Sequence, residues 1–458
     1  MRFSGRNLHG ICYLYPFDNF RGMSSNIPSS SCKRVVIVGG GFGGLRLAEC
    51  LSGDEFQIVL ADRNNYHQFP PLFYQVATAG LEPSSILFPF RKVFQRKKNF
   101  YFRMAEVTGI EPERNRVRTT VGAIAYDYLV IAAGTTTNYF GNDALCRRSF
   151  SMKSVEEALA IRNVVLSNFE RALTTDDPQE KEELLNVVVV GGGATGVEIA
   201  GALAEMKRFV LRKDYPDLEV DRLNIYLVEA SSRLLGGMSP EASSGADRFL
   251  QQLGVKVLLD RRVTDYADDT VTLGDGSMIR SRTVIWVSGV TGYLFPGLDA
   301  AVLERGNRIA VDEFNRVKGY DRIFAIGDIC YQTERNYPKG YPQVAQVAIQ
   351  QGRHLAANLE RSARGKPMTP FRYRNKGTMA TVGRNRAVAD LKIFKLQGAL
   401  AWLIWLVVHL MSILRVRNRL IVLINWTWNY FTYDQSLRLI LSAPKRGDRG
   451  KSCSGSES

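Results

Sequence analysis

The sequence predicts an α/β protein with two similar open-sheet halves, one inserted in the other, and an apolar helical end. Three observations predict it. A glycine-rich loop occurs twice; each copy follows an apolar strand and opens a helix-like run; and two apolar, tryptophan-containing runs lie near the end of the chain.

In the first half, Arg34-Val-Val-Ile-Val38 reads as a buried strand and leads into Gly39-Gly40-Gly41-Phe42-Gly43-Gly44. In the second, Asn186-Val-Val-Val-Val190 leads into Gly191-Gly192-Gly193-Ala194-Thr195-Gly196. Gly39, Gly41 and Gly44, like Gly191, Gly193 and Gly196, occupy the positions where such a loop needs glycine. They serve a tight turn, close approach of a pyrophosphate, and packing of helix on strand, while the helix N-terminus holds the anion. A single loop of this kind is weak evidence. Its repetition in the same strand-to-helix setting points to two Rossmann-like dinucleotide-binding domains.

Each unit also carries the acid expected at the end of its second strand. Phe56-Gln-Ile-Val-Leu-Ala61 ends at Asp62, about 20 residues past the first loop, where a carboxylate accepts hydrogen bonds from a ribose diol. Leu223-Asn-Ile-Tyr-Leu-Val228 ends at Glu229, displaced by a charged insertion over residues 207–221. A carboxylate there repels a 2′-phosphate and pairs with a 2′-hydroxyl, so NADH is expected over NADPH. Arg233 leaves a second reading, a partner for a phosphate, beside that of a solvated surface arginine.

Composition suits a multidomain globular enzyme. The chain has 458 residues, 45% of them hydrophobic, and 40 glycines, enough for two or three substantial cores. Its six cysteines (Cys12, Cys32, Cys50, Cys146, Cys330, Cys453) are scattered, and with four histidines they form no metal-ligand spacing. No metal is expected. A net charge of +15 raises the question of nucleic acid, but the basic residues are dispersed and sit in no recognisable nucleic-acid fold, so no nucleic-acid partner is expected.

Further along, Arg322-Ile-Phe-Ala-Ile-Gly-Asp328 reads as a short buried strand ending in Gly-Asp. Tyr128-Leu-Val-Ile-Ala-Ala-Gly134 and Ile285-Trp-Val-Ser-Gly289 read as strands that end in small residues. From about residue 33 to residue 383 this pattern resembles the flavoproteins with two dinucleotide-binding domains. That resemblance implies FAD on the first loop, with Asp328 on its ribityl chain and Gly134 beside it, and the nicotinamide on the second, near Gly289. Many proteins of this architecture reduce a cysteine pair, which has no Cys-x-x-Cys here, so another electron acceptor is needed.

Gln346 and Gln350 in Ala345-Gln346-Val347-Ala348-Ile349-Gln350 share one helical face. Two amides there can meet a polar headgroup entering an apolar cleft, or simply face solvent. The segment resembles the Ala-Gln-x-Ala-x-Gln signature of type II NADH:quinone oxidoreductases, single-subunit enzymes that oxidise NADH through FAD without pumping protons. Three further stretches resemble the same family: residues 66–78 (Tyr-His-Gln-Phe-Pro-Pro-Leu-Phe-Tyr-Gln-Val-Ala-Thr), 373–383 (Tyr-Arg-Asn-Lys-Gly-Thr-Met-Ala-Thr-Val-Gly) and 418–428 (Asn-Arg-Leu-Ile-Val-Leu-Ile-Asn-Trp-Thr-Trp). The resemblance, which runs from about residue 33 to residue 440, implies that Gln346 and Gln350 line a quinone pocket. It also implies that Lys376 lies near quinone or flavin and that Glu198 contacts the nicotinamide. Without it, Glu198 reads as a first-turn acid favoured by the helix dipole.

The end of the chain carries the expected membrane contact. Residues 399–414 are apolar apart from His409 and Ser412, with Lys392 and Lys395 before and Arg415, Arg417 and Arg419 after, and a second apolar run follows to Tyr433. Both are shorter than the roughly 20 residues that span a bilayer. Amphipathic helices lying in the interface fit better, each arginine adding about 1 kcal/mol near anionic lipid; core or dimer-interface helices are the other reading.

The expected organisation is a disordered tail or misassigned start over 1–32 and an FAD-binding domain over 33–150 and 300–385. An NADH-binding domain follows over 151–299, then membrane-anchoring helices over 386–442 and a basic, serine-rich disordered tail over 443–458. The expected protein is a homodimer, peripheral on the cytoplasmic face of the cell inner membrane, with a lipid surface, quinone and NADH as partners. Two alternatives remain: a sulfide:quinone oxidoreductase using Cys146 and Cys330, and a non-catalytic nicotinamide-sensing flavoprotein.

Overall fold

The computed structural model describes residues 25–432 and 437–441; the tail expected over 443–458, most of that over 1–32, and Cys12 and Cys453 lie outside them. The chain forms two compact units. Of the described residues, one comprises 25–67, 89–135 and 291–374, and the other 68–88, 136–290, 375–432 and 437–441. Residues 68–88, 136–150 and 375–385, expected with the FAD-binding segments, fall in the second unit, and residues 291–299, expected with the NADH-binding domain, fall in the first.

In the first unit, strand Lys33–Val38 has four consecutive β-branched residues with no polar break, and Val35 to Val38 are at most 5% exposed. Such a run suits a parallel sheet covered on both faces. It lies at the centre of a five-stranded sheet in the order Ile323–Ala325, Tyr128–Ile131, Lys33–Val38, Phe56–Asp62, Phe100–Met104. All neighbours are parallel, with Val35 opposite Ile58 on one side and Tyr128 on the other. Val36, Val38, Leu129, Ile131 and Ile323 belong to one hydrophobic core, together with Ile110, Val117 and Ile124 of an antiparallel meander.

The second unit repeats the plan. Val187–Val190, four valines buried throughout, is paired in parallel with Ile225–Val228 and Thr283–Trp286, and Lys256–Leu258 extends the sheet to four strands. In both units the loop-bearing strand sits between the strand that carries the acid and the strand that returns. A helix leaves each loop: Phe42–Cys50 in the first and Ala194–Glu205 in the second. The latter continues into a π-helical turn, Met206–Leu211, at the start of the charged insertion.

The second unit also holds an antiparallel sheet of Thr378–Thr381, Ala387–Asp390 and Lys395–Gln397, followed by helices Ala399–Ser412 and Val416–Thr432. Few side chains of either helix face inward. Ala401, Trp405 and Val422 are at most 1% exposed, whereas Leu403, Met411, Ile424, Trp428 and Phe431 are 54%, 58%, 64%, 60% and 76% exposed. Among the described residues, no helix is long and apolar enough to cross a membrane.

Candidate functional site

Both loops put their glycines to the same use. Gly39 and Gly191 have φ of +98° and +114°, a left-handed backbone that favours glycine. A Cβ on Gly44 would lie 1.9 Å from the Gly39 carbonyl oxygen, and one on Gly196 would lie 1.8 Å from that of Gly191. Helix and loop can approach so closely only without side chains. Gly41 and Gly193 differ: a Cβ there meets nothing within 4 Å, so the backbone is bare on that side, as contact with a pyrophosphate requires. Both are helix N-caps without a side-chain cap, which leaves the first-turn amides for an anion.

The two acids are also held alike. The backbone N–H of Gly40 donates to Asp62 Oδ2 at 2.6 Å, and that of Gly192 donates to Glu229 Oε2 at 2.6 Å. The other oxygen of Asp62 accepts from Asn64 N at 2.8 Å, and that of Glu229 accepts from Ser231 N at 2.8 Å and Ser231 Oγ at 2.6 Å. Each carboxylate thus pins its glycine loop to the end of the neighbouring strand. Burial raises the Asp62 carboxyl above its ordinary value, against the pull of those two amides and of Arg63. Arg233 donates to the Gly236 carbonyl oxygen at 2.8 Å.

His67 closes the first loop. Its Nδ1 lies 2.8 Å from the Gly40 carbonyl oxygen, its ring meets Phe42 edge-on at 5.3 Å, and burial pushes its pKa down to about 4. It is therefore neutral at physiological pH. The stretch 66–78 carries the family resemblance, but nothing in its residue pattern marks His67 as the contact to the loop.

Asp328 follows strand Ile323–Ala325 within a short 3-10 turn, Gly327–Ile329, and is half-buried. Gly327 has φ of +75°, and its N–H donates to Gln351 Oε1 at 2.8 Å. Gln351 also donates to Gln332 at 3.1 Å and to the Cys330 sulfur at 3.5 Å, and Asn315 donates to both at 3.0 and 3.9 Å. This buried network fixes the Gly-Asp turn. Residue type gives no signal for it: Gln351 is adjacent to the expected Gln350 but is buried, 1% exposed. The buried Cys330 thiol is pushed up to about 12, a poor setting for a nucleophile; Cys146 is exposed. Gly134 has φ of +68° with open space at its Cβ position, and Gly289 has φ of +81° against the Phe140 ring.

Gln346 and Gln350 both lie, half-buried, on helix Ala345–Ala363. The Gln350 amide is committed to the main chain: Nε2 donates to Arg374 O and Oε1 accepts from Arg374 N, both at 3.0 Å. It clamps the main chain two residues before the exposed Lys376.

Glu198 is not the first-turn acid that the dipole reading supposed; helix Ala194–Glu205 has none, and Glu198 lies farther along, 9% exposed. Desolvation pushes its pKa up to about 8, although it accepts a hydrogen bond from the Thr381 backbone. Nearby, the buried Tyr74 hydroxyl accepts from Gln75 Nε2 at 2.9 Å, and Trp426 Nε1 donates to Gln75 Oε1 at 2.8 Å. Helix Val416–Thr432 is thereby tied to the short helix Phe73–Ala77.

Residues 33–352 match the pyridine nucleotide-disulphide oxidoreductase family, and residues 375–432 match the NDH2 C-terminal domain. The chain is 34% identical to the type II NADH:quinone oxidoreductase NdhA of Mycobacterium tuberculosis, over 88% of this chain and 89% of that one. The chain belongs to the type II NADH:quinone oxidoreductase family. It is also 29% identical to an internal alternative NAD(P)H-ubiquinone oxidoreductase of Arabidopsis thaliana, covering 86% of this chain and 83% of that protein. NDH2 of Plasmodium falciparum in complex with NADH shares the fold at a TM-score of 0.82 and 21% identity, over 90% of this chain and all of that one. The sulfide:quinone oxidoreductase of Aquifex aeolicus shares it at 0.68 and 19%, over 88% of this chain and 96% of that one. Membership of this family, with Cys330 buried, sets aside the sulfide alternative.

Proposed function

We propose that this chain oxidises NADH and reduces a membrane quinone through tightly held FAD, without pumping protons. The observation that carries the reading is the pair of glycine loops, each pinned through its second glycine by a carboxylate, within a chain of this family. Bound FAD supplies two-electron exchange between nicotinamide and quinone. The first loop holds it, with Gly39, Gly41 and Gly44 around the pyrophosphate, Asp62 at the ribose, Asp328 at the ribityl chain and Gly134 beside the ring. Gly191, Gly193 and Gly196 hold the NADH pyrophosphate, Glu229 its ribose and Gly289 its nicotinamide end. The Glu229 carboxylate disfavours a 2′-phosphate.

The protein's own contribution is alignment and control of protons. Glu198, with a pKa near 8, keeps its proton at neutral pH and so donates a hydrogen bond to the nicotinamide carboxamide. Gln346 meets the quinone headgroup, while Gln350 sets the path of the chain toward Lys376 by holding Arg374. The exposed apolar faces of Ala399–Ser412 and Val416–Thr432 rest in the lipid interface on the cytoplasmic face of the membrane, where the quinone is dissolved, and the same helices join two copies as a homodimer.

Anaerobic addition of NADH to FAD-loaded protein should bleach the oxidised flavin band, and a short-chain quinone should restore it. Bleaching without recovery would identify a nicotinamide sensor instead, and no bleaching would remove NADH as the donor.

A further inference from the structure

The second unit contains a cavity of about 390 Å³ that has no part in the reaction proposed above. It is lined by Glu205, Arg208, Phe209, Phe249, Arg384, Asn385 and Arg386. Its size falls within the range of small-molecule sites, and its lining combines three guanidinium groups with two aromatic walls. The backbone is shaped around it. The π-helical turn Met206–Leu211 carries Arg208 and Phe209, and such turns recur at functional sites. Asn385, at φ of +58°, forms the tip between strands Thr378–Thr381 and Ala387–Asp390 and sets Arg384 and Arg386 on either side.

The charges in the cavity are not balanced internally. Glu205 is its single acid, and its Oε1 already accepts from Arg384 N at 2.5 Å. The Arg384 guanidinium is also committed: it donates to Asn429 O at 2.6 Å and Tyr430 O at 3.0 Å, at the carbonyl end of helix Val416–Thr432. Among the described residues neither Arg208 nor Arg386 forms an ion pair within 4 Å; the Arg208 guanidinium lies over the Phe209 ring at 5.4 Å, and the Arg386 guanidinium makes one long bond, 3.4 Å, to the Arg384 carbonyl oxygen and shares the field of Glu205 with Arg384. Two guanidiniums beside two phenyl rings recognise an anion with an apolar portion, and the geometry of guanidinium suits phosphate.

The position of the cavity narrows the ligand. Arg384, one of its lining residues, bonds the end of the helix whose Trp428 and Phe431 are 60% and 76% exposed, so a basic lining is tied to an exposed apolar surface. We propose that Arg208 and Arg386 bind the phosphate of an anionic phospholipid headgroup in this cavity, with Phe209 and Phe249 against its glycerol. This deepens the membrane reading given above and rests on it for the source of the lipid. Charge in the lipid layer and a discrete site are different things: a diffuse basic surface responds only to charge, whereas this site also depends on its aromatic walls.

The test uses the full FAD-loaded chain with two probes: dihexanoyl phosphatidylglycerol below its micelle concentration, and vesicles of phosphatidylcholine with or without phosphatidylglycerol. The soluble lipid should bind saturably, one per chain, and the pair Arg208→Gln and Arg386→Gln should weaken it about tenfold or more. Phe249→Ala, which leaves the charge unchanged, should also weaken it severalfold. Absence of saturable soluble-lipid binding, or binding that is indifferent to all three substitutions, would overturn the proposal. Displacement by equimolar inorganic phosphate would overturn the lipid as the source. Saturable binding by the soluble lipid with no attachment to either vesicle would leave the cavity assignment standing and remove the membrane reading instead.

Discussion

The two glycine loops share a backbone plan and a carboxylate clasp but differ in what covers them. Over the first, a Cβ on Gly40 would lie 2.1 Å from the Phe90 ring, and buried His67 holds the Gly40 carbonyl. Over the second, a Cβ on Gly192 would lie 2.7 Å from Leu234 and 3.0 Å from the Glu229 side chain, and the second partner of Glu229 is the exposed Ser231. One loop is closed by aromatic and imidazole rings, and the other by the buried aliphatic Leu234 and the half-buried Glu229 side chain, with the exposed Ser231 behind it. If the first loop holds FAD and the second NADH, as proposed, the same anion-binding turn serves a group that stays and a substrate that leaves.

The most severe test of that division is a methyl group in each loop. Gly44→Ala and Gly196→Ala both drive a Cβ into a backbone carbonyl that has nowhere to move. Gly44→Ala should yield protein without flavin and with a lower Tm. Gly196→Ala should keep its flavin absorbance but reduce it with NADH about 100-fold more slowly, the scale of an ångström-level misplacement. Loss of flavin from both variants would show that the loops do not act independently.

The acids sharpen the comparison with a smaller effect. Glu229→Gln removes the charge that opposes a 2′-phosphate, so the ratio of NADPH to NADH efficiency should rise about tenfold or more, on the scale of relieved like-charge contact. The matching change in the first loop, Asp62→Asn, should lower flavin retention and leave the nicotinamide preference unchanged. Steady-state rates with both nicotinamides separate the two; an equal shift in both variants would mean that the preference is not set at Glu229.

Much of this was legible in the sequence because its causes are local. Glycine spacing and unbroken valine runs report on a turn and a doubly buried strand without reference to the rest of the chain, and both sheets form at the expected places. The covering of each loop was not legible, since His67 and Phe90 reach Gly40 from distant sequence. Gln350 and Gln351 illustrate the same limit. Period 3.6 places Gln350 on a face with Gln346, but only the packed fold shows that Gln350 is spent on Arg374 and that its neighbour holds the Gly327 turn. The charged insertion read as a displacement of Glu229; its π-helical turn, which shapes the arginine cavity, has no signature in residue type.

The subtlest contrast lies two residues beyond the last loop glycine, where the first helix carries Arg46 and the second carries Glu198. Arg46 pairs with Glu49 at 3.0 Å, a partly exposed helix pair whose removal should change stability little. Glu198 is buried, and its folded pKa of about 8 stands above the ordinary 4.5. The sign follows from where each state ionises. Below about 4.5 both states hold the proton; between there and about 8 only the unfolded chain releases it, so the wild-type protein loses stability as pH rises through that window and levels off above it. Glutamine cannot ionise, so Glu198→Gln should gain stability relative to wild type from pH 5 to pH 8 and hold a constant margin beyond. Arg46→Gln should show no such slope. Urea midpoints of the flavin-loaded proteins across that range decide it: a pH-independent margin for Glu198→Gln would mean that the acid is charged in the fold and cannot be the proton-bearing contact assigned to it.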